Sequence, residues 1–410
     1  MASYNLVKNA QQYLQQFCGE IPNRPVGSPG NRKATDFFAK KTSSFGFQLE
    51  PQVFPCIDLE YGDLTLSING EPYKAFISPY SLGCRIHAPL VTVSTLEQLK
   101  SVDALNKVLL IRGELTKEQL MPKNFRFYNP DEHKQIYKLL ETKHPLAIIT
   151  ATGRNPELAG GMYPFPMIED GDFDIPSIYM TAEEGERIKE HTGKVLTLEF
   201  YARRIPAVGY NIIARKGSGS EPRVVVCAHI DAKDGTPGAI DNAVGVIVLL
   251  LLAEFMQDYS GKLGLELLAV NGEDYYSGIG EIKYLEELGD DIKKVLLAIN
   301  IDAAGYVSGD THYSLYDPPE NMARIIHRAF SVYEGIQEGV QWYQSDHSIF
   351  IQSQRPAVAI TSEHFMDLST YITHTSKDIP EIVDVNKLIE VALALQEMIK
   401  NLNREFEEQA

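Results

Sequence analysis

His229, Asp231 and Asp241 follow an apolar run in the stretch VVVCAHIDAKDGTPGAID, which covers residues 224–241. The apolar run 224–228 predicts a strand that is buried on both faces of a parallel sheet. It ends in His229, Asp231 comes two residues later, and Asp241 follows a loop rich in glycine and proline. Open α/β sheets bind their ligands at the carboxyl ends of the strands. We therefore expect these three side chains to lie in a functional site.

Other apolar runs of the chain end in the same way. Glu273 and Asp274 follow LELLAVNG, Asp302 follows VLLAINI, and the long loop after PAVAIT contains His374. Each residue taken alone has an ordinary structural explanation, because an aspartate at a strand end commonly caps the next helix. The same pattern at four strand ends, which would meet at one edge of the sheet, favours a common site.

The chemistry that fits these side chains is metal-dependent hydrolysis. Histidine and carboxylate ligands without thiolate favour zinc, with cobalt or manganese as alternatives. A centre with two metal ions about 3.5–4 Å apart needs a carboxylate between them and further ligands on either side. Zinc lowers the pKa of bound water to about 7 and so makes it a nucleophile. One carboxylate must stay off the metals to transfer the proton, and the chain has one to spare.

A regular alternation of strands and helices would position these residues. Strands are predicted at 210–215, 223–228, 265–270, 295–301 and 356–361, and helices near 242–257, 278–288, 319–334 and 385–402. Two further helices are predicted over 4–17 and near 32–45. This pattern predicts an α/β fold with helices on the faces of the sheet.

Residues 60–204 have a different pattern, in which short strand-like runs alternate with turns. They predict a mostly β domain with a few helices. Because 410 residues are too many for one ordinary domain, we expect a discontinuous domain of residues 1–59 and 205–410 with residues 60–204 inserted. The scattered histidines of the insertion are expected on the surface or in the packing rather than as ligands; they are His87, His133 and His144.

Composition excludes several classes of function. The formal net charge of -17 argues against nucleic-acid binding, which needs a basic surface. The longest apolar stretch, 243–253, is too short to span a bilayer, and the N-terminal segment lacks the apolar core of a signal peptide. The four cysteines form no CxxC pair and no zinc-finger spacing. We therefore expect a soluble, cytoplasmic chain, with a trimmed secreted form as the alternative.

The motifs at the strand ends resemble those of the M28 family of zinc peptidases, the co-catalytic metallo-aminopeptidases. In order along the chain they are AHID (228–231), GAIDN (238–242), GED (272–274), NID (300–302), SDHSIF (345–350) and HTSKD (374–378). The segment RPVGSPGNRKATDFF (24–38) resembles the entry segment of the family. The resemblance covers nearly the whole chain. It implies a three-layer αβα zinc-exopeptidase fold with a mixed, largely parallel sheet, and a protease-associated type of domain for the insertion.

The resemblance also implies two zinc ions and a set of ligands for them. Asp241 would bridge both ions, His229 and Asp302 would complete one site, and Asp274 and His374 would complete the other. The family usually has glutamate at the position of Asp274. Aspartate is shorter by roughly 1.5 Å, so either the backbone lies closer to the metal or the second zinc is bound more weakly.

Further roles follow from the same motifs. Glu273 would be the general base, and Asp231 would fix the tautomer of the neighbouring histidine ligand from outside the ligand set. Asp346 and His347 match a motif of the family but receive no metal role. Asp378 is expected to be a loop or supporting residue.

The implied reaction is the hydrolysis of N-terminal residues from peptides, with a peptide as the expected partner and a homo-oligomer left open. A carboxypeptidase, another amide hydrolase or a single-zinc glutaminyl cyclase could use the same site, because a fold does not fix the substrate. The alternative from another class is a receptor-like binding protein that kept the fold and lost the metals. The presence of Glu273 and of competent side chains at all five ligand positions argues against that alternative.

Overall fold

The structure is a computed structural model, and it describes residues 2–123, 125–153, 164–217, 222–274 and 278–409. The chain divides into two compact units. The larger unit contains Met1–Cys56, Val208–Leu368 and Ile372–Ala410, and the smaller unit contains Ile57–Ala207 and Ser369–Tyr371. None of the helices described is both long enough and apolar enough to cross a membrane.

The strands and helices are numbered in chain order. The strands are β1 (Gln48–Ile68), β2 (Glu71–Pro72), β3 (Phe76–Ile77), β4 (Cys84–Val93), β5 (Val108–Ile111), β6 (Ala147–Thr152), β7 (Ser177–Thr181), β8 (Val195–Lys216), β9 (Arg223–His229), β10 (Gly264–Val270), β11 (Val295–Ile301), β12 (Thr311–Tyr316), β13 (Ile336–Glu338) and β14 (Ala357–Ser362). The helices are α1 (Ala2–Leu14), α2 (Pro29–Ser44), α3 (Leu96–Ser101), α4 (Asp131–Lys143), α5 (Ala182–Lys189), α6 (Val244–Phe255), α7 (Ile279–Leu288), α8 (Glu320–Phe330), α9 (His347–Gln352), α10 (Phe365–Tyr371) and α11 (Val385–Gln409).

The sheet of the larger unit is mixed, with a parallel centre. Its strand order is β13-β12-β14-β11-β9-β10-β8. The four strands β14, β11, β9 and β10 are mutually parallel, whereas β12 and β8 run antiparallel to their neighbours β14 and β10. Every residue of β9 and of β10 is buried, which agrees with their continuous apolar sequences because parallel strands are covered on both faces.

Helix α6 lies at the centre of the core on one face of this sheet. Its residues from Val244 to Ala253 are all buried, so the helix has no polar face. A helix that is apolar all round is stable only when it is enclosed, and here it packs with β9, α2 and α11. Helix α2 begins at Pro29, where Ser28 accepts a hydrogen bond from the Asn31 amide and so caps the helix.

The carboxyl ends of the parallel strands meet at one edge of the sheet. His229 is the last residue of β9, the segment 271–274 follows β10, and Asp302 follows β11. The loop after β14 leads to His374. The fold of the larger unit therefore brings the four predicted strand ends to a common edge.

The smaller unit has its own core, and its strands are hydrogen-bonded neighbours that begin with the long strand β8. Strands β4, β5, β6 and β7 are parallel neighbours, with β8 antiparallel to β4 and β3 antiparallel to β7. Buried aliphatic residues of these strands form one face of the core, and helices α3 and α4 pack on another cluster that includes Leu99, Ile136 and Leu140. That this unit is of the protease-associated type stays a prediction.

Candidate metal centre

The first group of candidate ligands forms around His229, whose side chain is fully buried at the end of β9. Its Nε2 atom lies 3.1 Å from Oδ1 of Asp241 and 3.7 Å from Oδ1 of Asp302. Strand register explains the approach of Asp302, because β11 pairs in parallel with β9 and ends beside it. These three side chains are the ones that the sequence assigned to one metal.

The second group forms around His374. Its Nε2 atom lies 2.9 Å from Oδ2 of Asp241 and 2.7 Å from Oδ1 of Asp274. The backbone of His374 is left-handed, with φ of 58°, a conformation that is uncommon outside glycine and is concentrated at functional sites. Although aspartate is shorter than glutamate, the Asp274 carboxylate lies in contact with His374, the residue that the family resemblance assigned to the same metal.

Asp241 joins the two groups, because its two carboxylate oxygens face different histidines. The loop before it is held by Asp378, whose carboxylate accepts hydrogen bonds from the amides of Ile240 (2.6 Å) and Asp241 (3.0 Å). After it, the Asn242 side chain donates to the carbonyl of Ile301 in β11. The Asp241–Asn242 peptide bond is cis.

The polar atoms of this cluster fit a divalent metal ion. Within the described ranges, Nδ1 of His229 and Oδ2 of Asp274 are buried without a hydrogen-bond partner. Buried polar groups normally have partners, so unpaired ones need an explanation. Ligand atoms of His229, Asp241 and Asp274 all lie within 4.8 Å of one another. Imidazole nitrogen and carboxylate oxygen are donors that zinc accepts in proteins.

The electrostatics of the cluster favour a cation. Burial opposes a charge on His374, but the carboxylates of Asp274 and Asp241 outweigh it and raise the pKa of the imidazole to about 10. Burial likewise opposes a charge on His229, yet its contacts with Asp241 and Asp302 raise its pKa well above the ordinary value. Carboxylates that hold protons on two buried histidines would hold a divalent cation in the same place.

Asp231 fixes the turn that precedes the second group. One of its oxygens accepts from the amides of Gly272 (2.8 Å) and Glu273 (3.3 Å), and the other accepts from the amide of Asp274 (3.0 Å). Its Oδ1 atom lies 3.8 Å from Nδ1 of His229, which is longer than a hydrogen bond. In this geometry Asp231 therefore holds the turn and makes no direct hydrogen bond to the histidine, in contrast to the contact expected from the sequence.

Glu273 lies on this turn and is half-buried. Burial raises the pKa of its carboxyl group well above the ordinary value; the positive charge of His229 lowers it, and the negative charges of Asp274 and Asp302 raise it further. The preceding Gly272 has φ of 88°, a conformation that glycine adopts without strain, and it turns the chain after β10. The turn thus presents two neighbouring carboxylates, one of which faces His374.

The motif SDHSIF supplies support for Asp302 and no ligand. The Ser345 hydroxyl donates to Oδ2 of Asp302 at 2.6 Å and accepts from the Asn300 side chain at 2.8 Å. His347 is buried and bonds to the carbonyl of Trp342 at 2.8 Å. Burial lowers the pKa of His347 to about 4, so this imidazole is neutral. The motif therefore orients a carboxylate, a role that the sequence did not reveal.

A buried pair of carboxyl groups lies behind the cluster. Glu281 of α7 and Asp346 are both buried, and among the described residues neither carboxylate oxygen of Asp346 has a hydrogen-bond partner. Burial is the main cause that raises the pKa of Glu281, to about 7, and the pKa of Asp346. The negative charge of Glu281 raises the pKa of Asp346 further. No motif singled out Glu281, because its partner is distant in sequence.

A separate cavity lies away from this cluster. It has a volume of about 490 Å³ and lies at the amino ends of β9 and β10, lined by Glu50, Arg215 and Arg223 among other residues. Arg215 pairs there with Glu50 and with the buried Glu266. The charged side chains that line the cavity are thus paired with one another. The cavity lies at the edge of the sheet opposite to the candidate metal ligands.

The sequence of the larger unit is similar to a known family. Residues 211–399 match the sequence model described as peptidase family M28. A relative described as "Probable lipoprotein aminopeptidase LpqL", from Mycobacterium tuberculosis, is 23% identical over 304 residues, which cover 73% of this chain and 58% of the relative. The chain therefore spans less than two thirds of the length of that relative.

Solved structures of aminopeptidases have the same fold. The zinc aminopeptidase BSAP from Bacillus subtilis superposes with a TM-score of 0.75 at 20% identity, over 97% of this chain and 95% of that one. The aminopeptidase from Aneurinibacillus sp. strain AM-1 gives a TM-score of 0.72 at 22% identity, over 96% of this chain and 93% of that one. These likenesses confirm the predicted α/β fold class with a large mixed sheet.

Proposed function

Because residues 211–399 of the chain belong to peptidase family M28, we propose that this protein is a zinc-dependent aminopeptidase that removes N-terminal residues from peptides. The observation that carries this proposal is the position of Asp241. Its two oxygens lie 3.1 Å from Nε2 of His229 and 2.9 Å from Nε2 of His374, so one carboxylate is shared by two groups of ligands. A centre with two metal ions requires such a carboxylate.

Five side chains would hold two zinc ions. Asp241 would belong to both sites, with His229 and Asp302 in one and Asp274 and His374 in the other. The short contacts within each group and the unpaired buried atoms of His229 and Asp274 support this assignment. The similarity in fold to BSAP, a zinc aminopeptidase, supports zinc as the metal.

The bound zinc would supply Lewis-acid polarisation of the scissile carbonyl and a lowered pKa for the attacking water. Glu273 is the general base: it takes a proton from that water and gives it to the amine that leaves. The raised pKa of its carboxyl group makes the Glu273 carboxylate a stronger base toward the attacking water. The neighbouring Asp274 is the ligand, so two adjacent carboxylates have separate roles.

Asp231 and Ser345 position these groups. Asp231 holds the amides of Gly272, Glu273 and Asp274, so it sets where the base and one ligand lie. Ser345 donates a hydrogen bond to Oδ2 of Asp302, and Oδ1 of Asp302 lies near Nε2 of His229. Such partners beyond the ligands typically change metal affinity or activity by about 10–100-fold when they are removed.

The inserted segment and the substrate complete the proposal. The segment 60–204 would be an inserted domain of the protease-associated type, and its distinct sheet and core support a separate domain. The substrate would be a peptide with a free α-amino group.

The proposal is tested with zinc-loaded protein and matched peptides. A peptide with a free N-terminus should lose residues from that end, whereas its N-acetylated form should stay intact, and chelation should abolish the reaction. Cleavage of the acetylated peptide from its C-terminus would favour a carboxypeptidase. Conversion of an N-terminal glutamine to pyroglutamate with one zinc per chain would favour a glutaminyl cyclase. Absence of bound zinc would contradict all three enzymes.

A further inference from the structure

Arg24 is a fully buried cation whose hydrogen-bond donors all go to backbone carbonyls. Its Nη1 atom donates to Phe17 (2.6 Å), Ile21 (3.2 Å) and Pro237 (2.9 Å). Its Nη2 atom donates to Gly238 (2.9 Å) and its Nε atom to Ile230 (3.2 Å). One guanidinium group thus binds three separate segments of the larger unit.

Two of those segments are the ends of one functional loop. Ile230 directly follows the candidate ligand His229, and Gly238 comes three residues before Asp241. The backbone carbonyl of Arg24 also accepts from the amide of Ala232 at 3.3 Å, inside the same loop. Arg24 therefore contacts the loop at its start, in its interior and at its end.

The loop is built around the guanidinium group. Gly238 has φ of 57°, and a Cβ atom there would lie 2.9 Å from Nη2 of Arg24 and 2.6 Å from Cβ of Ala232. Any residue with a side chain at position 238 would therefore push the guanidinium group away from this carbonyl, and only glycine avoids that. Arginine suits the position because its planar group offers five N–H donors in a fixed arrangement.

A buried charge that is not hydrogen-bonded to a carboxylate destabilises the folded state. We therefore infer that Arg24 has a functional role that offsets this loss of stability. The charges that act on Arg24 over longer distance include Asp378, Asp231 and Asp274, all of which belong to or support the candidate metal centre. By contrast, the half-buried Arg215 pairs directly with Glu266 and Glu50 at the opposite edge of the sheet. Arg24 thus binds the loop between His229 and Asp241, whereas Arg215 binds side chains of the sheet far from that loop.

We propose that Arg24 is a positioning residue for the metal centre, which fixes the loop 230–238 and thereby the distance between His229 and Asp241. This inference rests on the proposed function, because it concerns the same two ligands. The N-terminal segment then contributes to metal binding without supplying a ligand. Loss of the guanidinium should widen the range of distances between these two ligands and so weaken zinc binding.

The test compares Arg24→Gln with Arg215→Gln, which removes a half-buried arginine that pairs with Glu50 and Glu266 at the opposite edge of the sheet. Zinc affinity is measured by competition with a chromogenic chelator, the absorption spectrum of the cobalt-substituted protein reports ligand geometry, and urea unfolding of the metal-free protein reports stability. Arg24→Gln should weaken zinc binding by about 10–100-fold and change the cobalt spectrum. Arg215→Gln should unfold at lower urea concentration, with zinc affinity and cobalt spectrum unchanged.

Arg24→Lys covers the case in which Arg24→Gln does not fold. Lysine keeps the charge but has three donors in place of five, so zinc binding should weaken, by less than for glutamine. Wild-type zinc affinity in Arg24→Lys, or a stability loss in Arg24→Gln with wild-type zinc affinity and cobalt spectrum, would overturn the inference while leaving the enzyme intact. A wild-type protein that binds no zinc would overturn the proposed function together with the inference.

Discussion

The side chains of Asn31 and Asn271 hydrogen-bond to each other twice, with both N–H···O distances at 2.8 Å. Asn31 lies in the first turns of α2, and Asn271 starts the turn that contains Glu273 and Asp274. The pair is buried, and the backbone amide of Asn271 also donates to the side chain of Asn211. The N-terminal segment is therefore connected to the turn that presents the proposed base.

Asn31→Ala should destabilise the protein, because it leaves the amide group of Asn271 buried with fewer partners. We expect the free energy of unfolding to fall by about 1–3 kcal/mol. Urea unfolding of the metal-free protein measures this value. Asn401→Ala, which removes a half-buried asparagine of α11 whose hydrogen bond to Glu397 is exposed, serves as the control and should change the stability by less than about 0.5 kcal/mol. Equal stability of the two variants would show that the double hydrogen bond contributes little.

Glu273→Gln should abolish turnover and leave zinc bound, because glutamine cannot accept the proton and Glu273 is proposed as the base and not as a ligand. We expect kcat to fall by about 10²–10⁴-fold. Steady-state kinetics and zinc content are measured on the same preparation, with the exposed Glu334→Gln as control. A variant with near wild-type kcat would show that another group is the base.

Asp274→Glu should be tolerated, because the longer side chain still reaches His374 if the turn relaxes outward by about one C–C bond, roughly 1.5 Å. We expect the zinc content to stay at the wild-type value and kcat to change by less than about 10-fold, or 1.4 kcal/mol. Zinc content and kcat report the two effects separately. Loss of half of the zinc would mean that the backbone of the turn is built for the shorter acid.

The carboxyl pair behind the centre predicts a pH-dependent stability. Burial raises the pKa of Glu281 to about 7, so the folded protein binds a proton that the unfolded chain releases at lower pH. For an acid with a raised pKa, this stabilisation is present below about pH 4.5 and is lost as the pH rises through about 7. Asp346, His229 and Asp231 are the charged groups that act on Glu281.

Glu281→Gln should flatten this dependence, because the amide cannot ionise. Between pH 5 and pH 8 we expect the wild type to lose about 1–3 kcal/mol more than the variant. Urea unfolding at both pH values measures the difference. Glu287→Gln, an exposed position on the same helix, is the matched control and should follow the wild type. A variant as pH-dependent as the wild type would show that Glu281 does not titrate in this range.

Much of the larger unit follows from its sequence. The predicted strands 223–228 and 295–301 correspond to β9 and β11, and the predicted helix 278–288 to α7. These elements are recognisable because each is buried or strongly periodic, so that one physical requirement fixes the pattern. The match to peptidase family M28 confirms the resemblance that the motifs indicated.

Other features depend on contacts that no local pattern encodes. Strand β12 and the three-residue β13 were not predicted, because their short sequences carry no clear alternation. The roles of Arg24 and Glu281 depend on partners far along the chain, Gly238 and Asp346. A motif can mark such a residue, as it did for Arg24, but only the fold shows what the side chain contacts.

The contacts of Arg24 and Asn31 have a consequence for the order in which the protein forms. They join positions that are 206, 214 and 240 residues apart in sequence, so the last of them cannot be made until the chain has been synthesised through residue 271. Contacts of such long range form late, because the entropy of closing a long loop must first be overcome. We therefore expect the ability to bind zinc to appear late in folding, after the central sheet has formed. A nascent or partly folded chain should then be inactive toward the peptides around it.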